Sequence, residues 1–316
     1  MSYAGHDEPW REWRAALAGE RMHHAWILTG RKGVGKAAFA LQAARELVGG
    51  SGMGDHPDIL VLTHPPKDDK EAEKRAEGKP YETKRNIPVD EIRAMQRRLN
   101  TRPTLGARRA VIVDPADDLE PSASNALLKS LEEPPQGTFF ILVAHRLGRL
   151  LPTIRSRCRV LRFPALAHDE IDAILRRQAP EADQATRAAA IAASAGSPGA
   201  ALEFVNLGLG ELHTLMQQLV RSGDPDFARR GKLAEAIGAR PDRQRQLAAI
   251  DLARAVVADA MRTVEHREIP ALAEANAELS RLSAQAPTYN YDPGLLVMEI
   301  GSLLAALAAP REAAHG

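Results

Sequence analysis

The sequence predicts an α/β domain with a mainly parallel sheet, followed by a small helical domain and a larger all-helical domain. Strand and helix patterns alternate through the first half of the chain, as they do in βαβ proteins. Strand patterns end at Pro164, and longer amphipathic helix patterns begin after about residue 207. We therefore expect domains at residues 1–163, 164–207 and 208–316.

Four apolar runs in the first half have the length and the β-branched or aromatic content of buried strands. The first run leads directly into a glycine-rich loop, and the third ends in an aspartate. The runs are AWILTG (25–30), DILVLT (58–63), RRAVIVDPAD (108–117) and TFFILVAH (138–145). Because parallel strands need crossover connections, we expect helices between them.

Helix signals lie in those connections and throughout the second half. KAAFALQAARELV (36–48) is rich in helix formers and stops at two glycines, while PSASNALLKSLEEPP (121–135) opens and closes with proline. Residues 67–85 carry seven Lys/Arg and six Asp/Glu, which favours an exposed helical or flexible excursion. In the second half, the apolar stripe of YDPGLLVMEIGSLLAALAA (291–309) is typical of a packed helix.

Composition excludes several classes of protein. The chain has 316 residues, a net charge of +1 and 44% hydrophobic residues, which is ordinary for a globular protein. It contains no apolar run of the roughly 18 residues that cross a bilayer, and its amino terminus lacks a signal-peptide core. Cys158 is the single cysteine, so no intramolecular disulfide forms. We expect a cytoplasmic protein with no membrane partner.

The stretch GRKGVGKA (30–37) matches the phosphate-binding pattern G-x-x-x-x-G-K-[ST] except at its last position. Gly30, Gly33 and Gly35 allow the backbone N–H groups to surround phosphate oxygens, and Lys36 reaches the terminal phosphates. Ala37 stands where a hydroxyl normally holds Mg²⁺. The loss weakens metal binding, and it leaves open whether nucleotide binds.

A second element of such sites is a carboxylate at the end of a neighbouring strand. Asp114 ends the third strand and predicts the Mg²⁺-linked carboxylate. The next residue is Pro115, which has no acid or base function and does not serve as a general base. Asp117 and Asp118 follow, and we interpret them as a polar turn rather than as replacements.

Three stretches together carry a resemblance to a known family. HHAWILTGRKGVGK, SNALLKSLEEPPQGTFFILV and LLPTIRSRC strongly resemble the clamp-loader branch of AAA+ proteins, over roughly residues 20–165. The resemblance implies an AAA+ P-loop domain, then a small helical lid domain and a helical collar domain that joins subunits. Many relatives carry a four-cysteine zinc module after the first helix. GGSGMGDHPD (49–58) has no cysteine, so we expect no metal.

The resemblance assigns a role to one arginine of six in residues 146–162. In the family, the arginine of Ser-Arg-Cys projects to the γ-phosphate in a neighbouring subunit, which makes Arg157 a trans arginine finger. Arg155 is the next best placed for that site. The family's other ATP-contacting positions fall here at Ala144 or His145 and at Gly199. These positions, like Ala37 and Pro115, remove ATP chemistry from the chain's own site.

We therefore expect a non-hydrolysing subunit of the clamp loader in the replicative DNA polymerase holoenzyme. It would act as a stator beside an ATPase motor subunit in a ring that also contains a delta subunit, and help load the sliding clamp. The resemblance implies weak contact with the clamp and contact with primer–template DNA through backbone phosphates. The alternative is an active motor ATPase, and an intermediate possibility is ATP or ADP held without turnover. An unrelated P-loop kinase is the remaining alternative, but it explains neither TIRSRC nor the helical domains.

Overall fold

A computed structural model describes residues 5–50, 56–238, 241–286 and 292–308. The chain forms two compact units, Met1–Leu166 and Ala167–Gly316. The predicted α/β and helical character of the two halves is confirmed. The predicted domain bounds, including the division at residue 207, stay predictions. Part of the segment at which relatives carry zinc ligands, residues 51–55, lies outside the described residues.

The first unit is built on a five-stranded sheet in which all pairs are parallel. The strand order is β2-β3-β4-β1-β5. The strands are β1 (Ala25–Thr29), β2 (Ile59–Leu62), β3 (Arg109–Val113), β4 (Thr138–Ala144) and β5 (Arg159–Arg162). The first four were predicted, and β5 was not, because arginines occupy both of its ends. Since strands β1, β3 and β4 are neighbours and parallel, the residues at their carboxyl ends lie along the same edge.

One helix of this unit precedes the first strand, and the others lie in the connections between strands, as parallel pairing requires. The helices are α1 (Asp7–Ala18), α2 (Lys36–Val48), α3 (Asp69–Ala76), α4 (Val89–Leu99), α5 (Pro121–Glu132) and α6 (Pro152–Arg155). One side of the sheet packs on α4 and α5 through residues such as Ile92 and Leu127, which are fully buried. Trp13 of α1 packs with Trp26 of β1 and with Phe39 of α2, at ring-centroid distances of 5.4 Å and 6.3 Å. The apolar strands therefore sit in a continuous core.

The charged segment 67–85 has a defined structure around one carboxylate. Glu71 of α3 is buried, and it accepts hydrogen bonds from Lys74 Nζ at 2.6 Å and from the Glu82 backbone N–H at 2.7 Å. Asp68 caps α3 by accepting a hydrogen bond from the Glu71 backbone N–H. The predicted exposed helix is present, and local polar contacts give this segment its shape.

The second unit is helical throughout its described residues. Its helices are α7 (His168–Gln178), α8 (Gln184–Ala193), α9 (Pro198–Asn206), α10 (Gly210–Ser222), α11 (Ala228–Ile237), α12 (Arg243–Ala260), α13 (Ile269–Gln285) and α14 (Pro293–Ala306). Leu296, Ile300 and Leu304 of α14 are buried, which confirms the predicted stripe. Across the described ranges, no helix combines the length and apolar character that a bilayer crossing requires.

Candidate functional site

The phosphate loop, residues 30–36, joins the carboxyl end of β1 to the amino end of α2. Gly30 has φ +156°, and a Cβ there would lie 2.4 Å from the carbonyl oxygen of Phe163, so only glycine fits. Gly33 and Gly35 have φ values of 80° and 105°, in the left-handed region. Gly35 also caps α2, whose amino end carries partial positive charge. The loop therefore keeps the backbone shape of a phosphate cradle.

Lys36 is the first residue of α2, and it is folded back into the loop. Lys36 is 2% exposed, and its Nζ donates hydrogen bonds to the carbonyl oxygens of Gly30 at 2.7 Å and Arg31 at 2.6 Å. Burial lowers the pKa of Lys36 to about 8, although the charges of Asp114 and Asp117 act to raise it. The ammonium thus uses two of its three N–H groups on its own loop.

Asp114 follows β3 and lies near Lys36. Its backbone N–H donates to the Leu62 carbonyl at 2.9 Å, which continues the β2–β3 ladder by one residue. Burial raises the pKa of the Asp114 carboxyl, and the positive charges of Lys36 and His64 oppose that rise. The structure therefore brings together the predicted site residues Gly30, Lys36 and Asp114.

The two positions that differ from working sites contribute no oxygen to this group. Ala37 is exposed in the first turn of α2 and ends in a methyl group. Pro115 is buried directly after Asp114, joined to it by a cis peptide bond. No carboxylate stands directly after Asp114, where an AAA+ ATPase has the base that orients water.

Asp117 and Asp118 are committed to other contacts. The buried Asp117 carboxylate accepts hydrogen bonds from the backbone N–H groups of His145 at 2.9 Å and Arg146 at 3.1 Å. Asp118 Oδ2 lies 3.2 Å from His64 Nε2, and this contact holds the pKa of Asp118 below its usual range. Both carboxylates therefore stabilise the connections around the site, in agreement with their interpretation as a polar turn.

His145 stands directly after β4, at one of the two positions considered for an ATP contact. Ala144 is buried within the strand and has no polar side-chain atom. Burial lowers the pKa of His145, and the Lys36 charge lowers it further. The buried Nδ1 of His145 has no hydrogen-bond partner among the described residues. A neutral imidazole therefore lies at the edge of the phosphate loop.

A second histidine, which no sequence motif indicates, lies at this loop. His6 precedes α1, and its Nε2 lies 2.6 Å from the Val34 carbonyl oxygen. Because a carbonyl only accepts, the His6 ring donates this hydrogen bond from Nε2. The ring also packs edge-on against Phe163, with centroids 4.8 Å apart. Only the contacts in the fold reveal this role, since His6 lies far from the motif in sequence.

Arg157 belongs to a different neighbourhood, after the short helix α6. Its side chain is 37% exposed, its Nη1 donates to the Thr153 carbonyl at 3.1 Å, and its Nη2 lies 2.7 Å from Glu132 Oε1. Burial raises the pKa of the adjacent Cys158 thiol to about 12, so this cysteine is a packing residue and not a nucleophile. The guanidinium is therefore accessible to solvent, and the chain beside it is packed against the core.

Gly199 lies in the second unit. It is the second residue of α9, whose amino end is capped by the Ser197 hydroxyl accepting a hydrogen bond from the Ala200 backbone N–H at 3.2 Å. The first turn of this helix thus presents no arginine at the position at which relatives offer one.

The residues around the phosphate loop are suited to binding the phosphates of a nucleotide, but not to hydrolysing them. The glycine backbone, the amino end of α2 and Lys36 would supply the donors for a nucleotide, and Asp114 would supply one oxygen for a magnesium ion. When bound in working P-loop enzymes, that ion neutralises charge on the phosphates. The hydroxyl ligand and the adjacent base are missing at Ala37 and Pro115.

The chain is similar to known proteins both in sequence and in fold. The sequence model of the family described as "DNA polymerase III, delta subunit" matches residues 5–167. DNA polymerase III subunit delta′ of Pseudomonas aeruginosa is 32% identical over 222 residues, covering 64% of this chain and 62% of the relative. The Escherichia coli delta′ subunit is 32% identical over 204 residues, covering 60% and 56%. The matched segment thus spans less than two thirds of either relative's length.

Gamma subunits of the same polymerase are similar as well, and a solved structure supports the fold. The gamma/tau subunit of Mycobacterium bovis is 30% identical over 191 residues, covering 58% of this chain and 32% of the relative. The crystal structure of a gamma subunit-related protein from Thermotoga maritima superposes with a TM-score of 0.53 at 18% identity, covering 96% of this chain and all of that one. The first unit has the AAA+ fold. Because the family model matches more than half of its residues, the chain belongs to the DNA polymerase III delta subunit family.

Proposed function

We propose that this chain is a non-hydrolysing clamp-loader subunit that supplies Arg157 to the ATP of a neighbouring motor subunit. In this role it is a stator: it takes part in hydrolysis at a subunit boundary without turning over ATP itself. The ring would load the sliding clamp onto primed DNA, and the second unit of the chain would contribute to its helical collar. Cytoplasmic location stays a prediction from the sequence.

One observation carries the proposal: the chain's own site lacks the hydroxyl and the base of a working site, while Arg157 is accessible. Ala37 and Pro115 replace the hydroxyl and the base, and Asp117 is occupied by two backbone N–H groups. Arg157, in contrast, presents a partly exposed guanidinium. A planar guanidinium binds phosphate oxygens in pairs, which lysine does not do.

A second candidate function is that of an active motor subunit. The intact glycine backbone and the closeness of Lys36 to Asp114 favour it. An intermediate form, in which ATP or ADP is held without turnover, is supported by the same cradle. The missing oxygens at Ala37 and Pro115 oppose turnover and leave static binding possible.

The proposed partners follow from membership in the family. They are the motor subunits, the delta subunit, the sliding clamp through a weak contact, and primer–template DNA. With a net charge of +1, no overall field attracts DNA, so that contact would use local cations and backbone phosphates. Such binding would weaken with salt and would not depend on base sequence.

The test is DNA- and clamp-stimulated ATP turnover of the reconstituted complex. Wild type is compared with Arg157→Ala and with Lys36→Met, which keeps most of the buried volume at residue 36. We expect Arg157→Ala to remove turnover at the adjoining site and Lys36→Met to leave total turnover within about twofold. A loss with Lys36→Met as large as that from disabling one motor site would identify the chain as an ATPase.

A further inference from the structure

The guanidinium of Arg157 is held at two points on its own chain. Nη1 donates to the Thr153 carbonyl oxygen in the first turn of α6, at 3.1 Å. Nη2 lies 2.7 Å from Oε1 of Glu132, the last residue of α5. An arginine side chain has four rotatable bonds and many rotamers in water. The two contacts select one arrangement among them before any partner arrives.

The backbone beneath the guanidinium is also fixed. The Arg157 N–H donates to the Ile154 carbonyl at 3.2 Å, and the Ser156 N–H donates to the Pro152 carbonyl at 2.9 Å. Ile154 is fully buried, and Cys158 packs against the same core. Leu131, the residue before Glu132, is buried in the same core, while the Glu132 side chain itself is 48% exposed. Glu132 and Arg157 are therefore presented from two elements that share one core.

The two contacts leave donors for a phosphate. A guanidinium has five N–H groups; Nη1 donates one of them to Thr153, and Nη2 is ion-paired with Glu132. The N–H groups that remain include Nε–H and the second N–H of Nη1. The two contacts thus leave N–H groups of Arg157 for oxygen ligands.

We propose that Glu132 is a positioning residue for Arg157. Glu132 holds the Arg157 guanidinium in the orientation that meets the γ-phosphate bound by the neighbouring subunit. This inference rests on the proposed function, because it needs Arg157 to act on a partner's ATP. Glu132 acts through Arg157 and does not touch the nucleotide. Removing its charge frees the guanidinium to sample other rotamers, and the cost of ordering one flexible side chain corresponds to about a three- to tenfold loss.

The experiment is a double-mutant cycle in the reconstituted complex. Glu132→Gln removes the charge with little change in volume. Glu133→Gln is the matched control, because Glu133 is the next residue, is exposed, and has no ion pair among the described residues. Each variant is made alone and Glu132→Gln is also combined with Arg157→Ala, and turnover is measured over a range of ATP concentrations to separate kcat from KM. Subunit stoichiometry and thermal unfolding of each complex are recorded.

We expect Glu132→Gln to lower kcat about three- to tenfold at unchanged KM, Glu133→Gln to match wild type, and the Glu132→Gln effect to vanish in the Arg157→Ala background. Equal behaviour of Glu132→Gln and Glu133→Gln, with Arg157→Ala still inactive, would overturn the positioning role alone. A loss that persists without Arg157, or a rise in turnover, would overturn it too. If Arg157→Ala has no effect, the proposed function itself fails.

Discussion

The phosphate loop and the Arg157 loop, residues 156–158, use their cations in opposite ways. Lys36 is 2% exposed, and its ammonium bonds to two carbonyl oxygens of its own loop. The Arg157 side chain is 37% exposed, and it keeps N–H groups for an outside ligand. One cation therefore belongs to the interior of the chain, and the other belongs to its surface.

Under the proposed function, this difference separates a site that does not hydrolyse ATP from an arginine that acts on a partner's ATP. The chain's own site retains residues that also stabilise the fold, such as Gly30 against Phe163 and the buried carboxylate of Asp117. Ala37 and Pro115 stand where working sites have the hydroxyl and the base. Arg157 contributes little to folding, because exposed ion pairs are worth about 0–1 kcal/mol, so the proposed partner is the better reason for its position.

The largest expected effect is on turnover and comes from the shape of the Arg157 head group. Arg157→Lys keeps the positive charge but loses the planar fork that binds two phosphate oxygens. We expect it to reduce turnover at the adjoining site by about 10³-fold, close to the effect of Arg157→Ala. Single-turnover hydrolysis in the reconstituted complex measures this. Unfolding of the isolated chain should change by less than about 1 kcal/mol.

A result in which Arg157→Lys keeps wild-type turnover would reduce Arg157 to a simple positive charge. It would then have the same kind of role as the other surface cations, and the contrast with Lys36 would be one of burial only.

The second effect is on stability and concerns the buried carboxylate of Asp117, near the phosphate loop. Asp117→Ala leaves the backbone N–H groups of His145 and Arg146 without their acceptor. We expect the free energy of unfolding to fall by about 2–4 kcal/mol. Urea unfolding followed by tryptophan fluorescence measures this, because all three tryptophans lie in the first unit. Asp118→Asn, which alters a half-buried contact with His64, is the control and should cost less than about 1 kcal/mol.

An equal loss in the two variants would mean that Asp117 is no more committed to the fold than Asp118. In that case its carboxylate would be available to replace the missing base after Asp114, and the motor alternative would gain support.

Much of this architecture follows from the sequence, because local patterns carry it. The four apolar strands, the helix that starts at Lys36 and the helix closed by two prolines each depend on neighbouring residues, and each is confirmed. The fifth strand was missed because it lies at an edge of the sheet and the exposed Arg159 and Arg162 leave only two apolar residues between them, Val160 and Leu161. Edge strands lose the hydrophobic pattern that reveals buried ones.

The missed residues of the site have a different physical origin. His6 lies 28 positions from Val34, and Glu132, the last residue of α5, is likewise distant from Arg157 in sequence. Such contacts arise when separate elements pack together, and no local pattern indicates them. The phosphate loop could be predicted because its glycines and its lysine lie close together in sequence. The contacts made by the Lys36 and Arg157 side chains are seen only in the folded structure.

A third, smaller effect concerns pH and the buried ammonium of Lys36. Its pKa is about 8 in the folded chain, below the ordinary value near 10.4 of an unfolded lysine. Between these values the unfolded chain binds more protons, so the Lys36 contribution to stability rises with pH. We expect wild type to gain about 1–2 kcal/mol relative to Lys36→Met between pH 8 and about 9.5.

Tryptophan-detected urea unfolding of wild type and Lys36→Met at several pH values measures this difference. Parallel stability curves would show that Lys36 titrates as an exposed lysine does, and would argue against its burial in the loop. A nucleotide that displaced Nζ toward phosphate would keep the ammonium protonated and flatten the curve of wild type, which gives a direct readout of static binding.

The smallest expected effect tests whether Arg157 is special among the neighbouring arginines. The side chains of Arg146 and Arg149 are 64% and 54% exposed, and each lies 3.7 Å from an aspartate, at the outer limit of an ion pair. Because exposed pairs contribute little, Arg146→Gln and Arg149→Gln should alter unfolding by less than about 0.5 kcal/mol and turnover by less than twofold. The same unfolding and turnover assays measure both. If either variant lost turnover as Arg157→Ala does, the outward function would belong to a basic surface and not to one guanidinium. If either variant instead lowered the free energy of unfolding substantially, that arginine would stabilise the fold, as the buried residues of the site do.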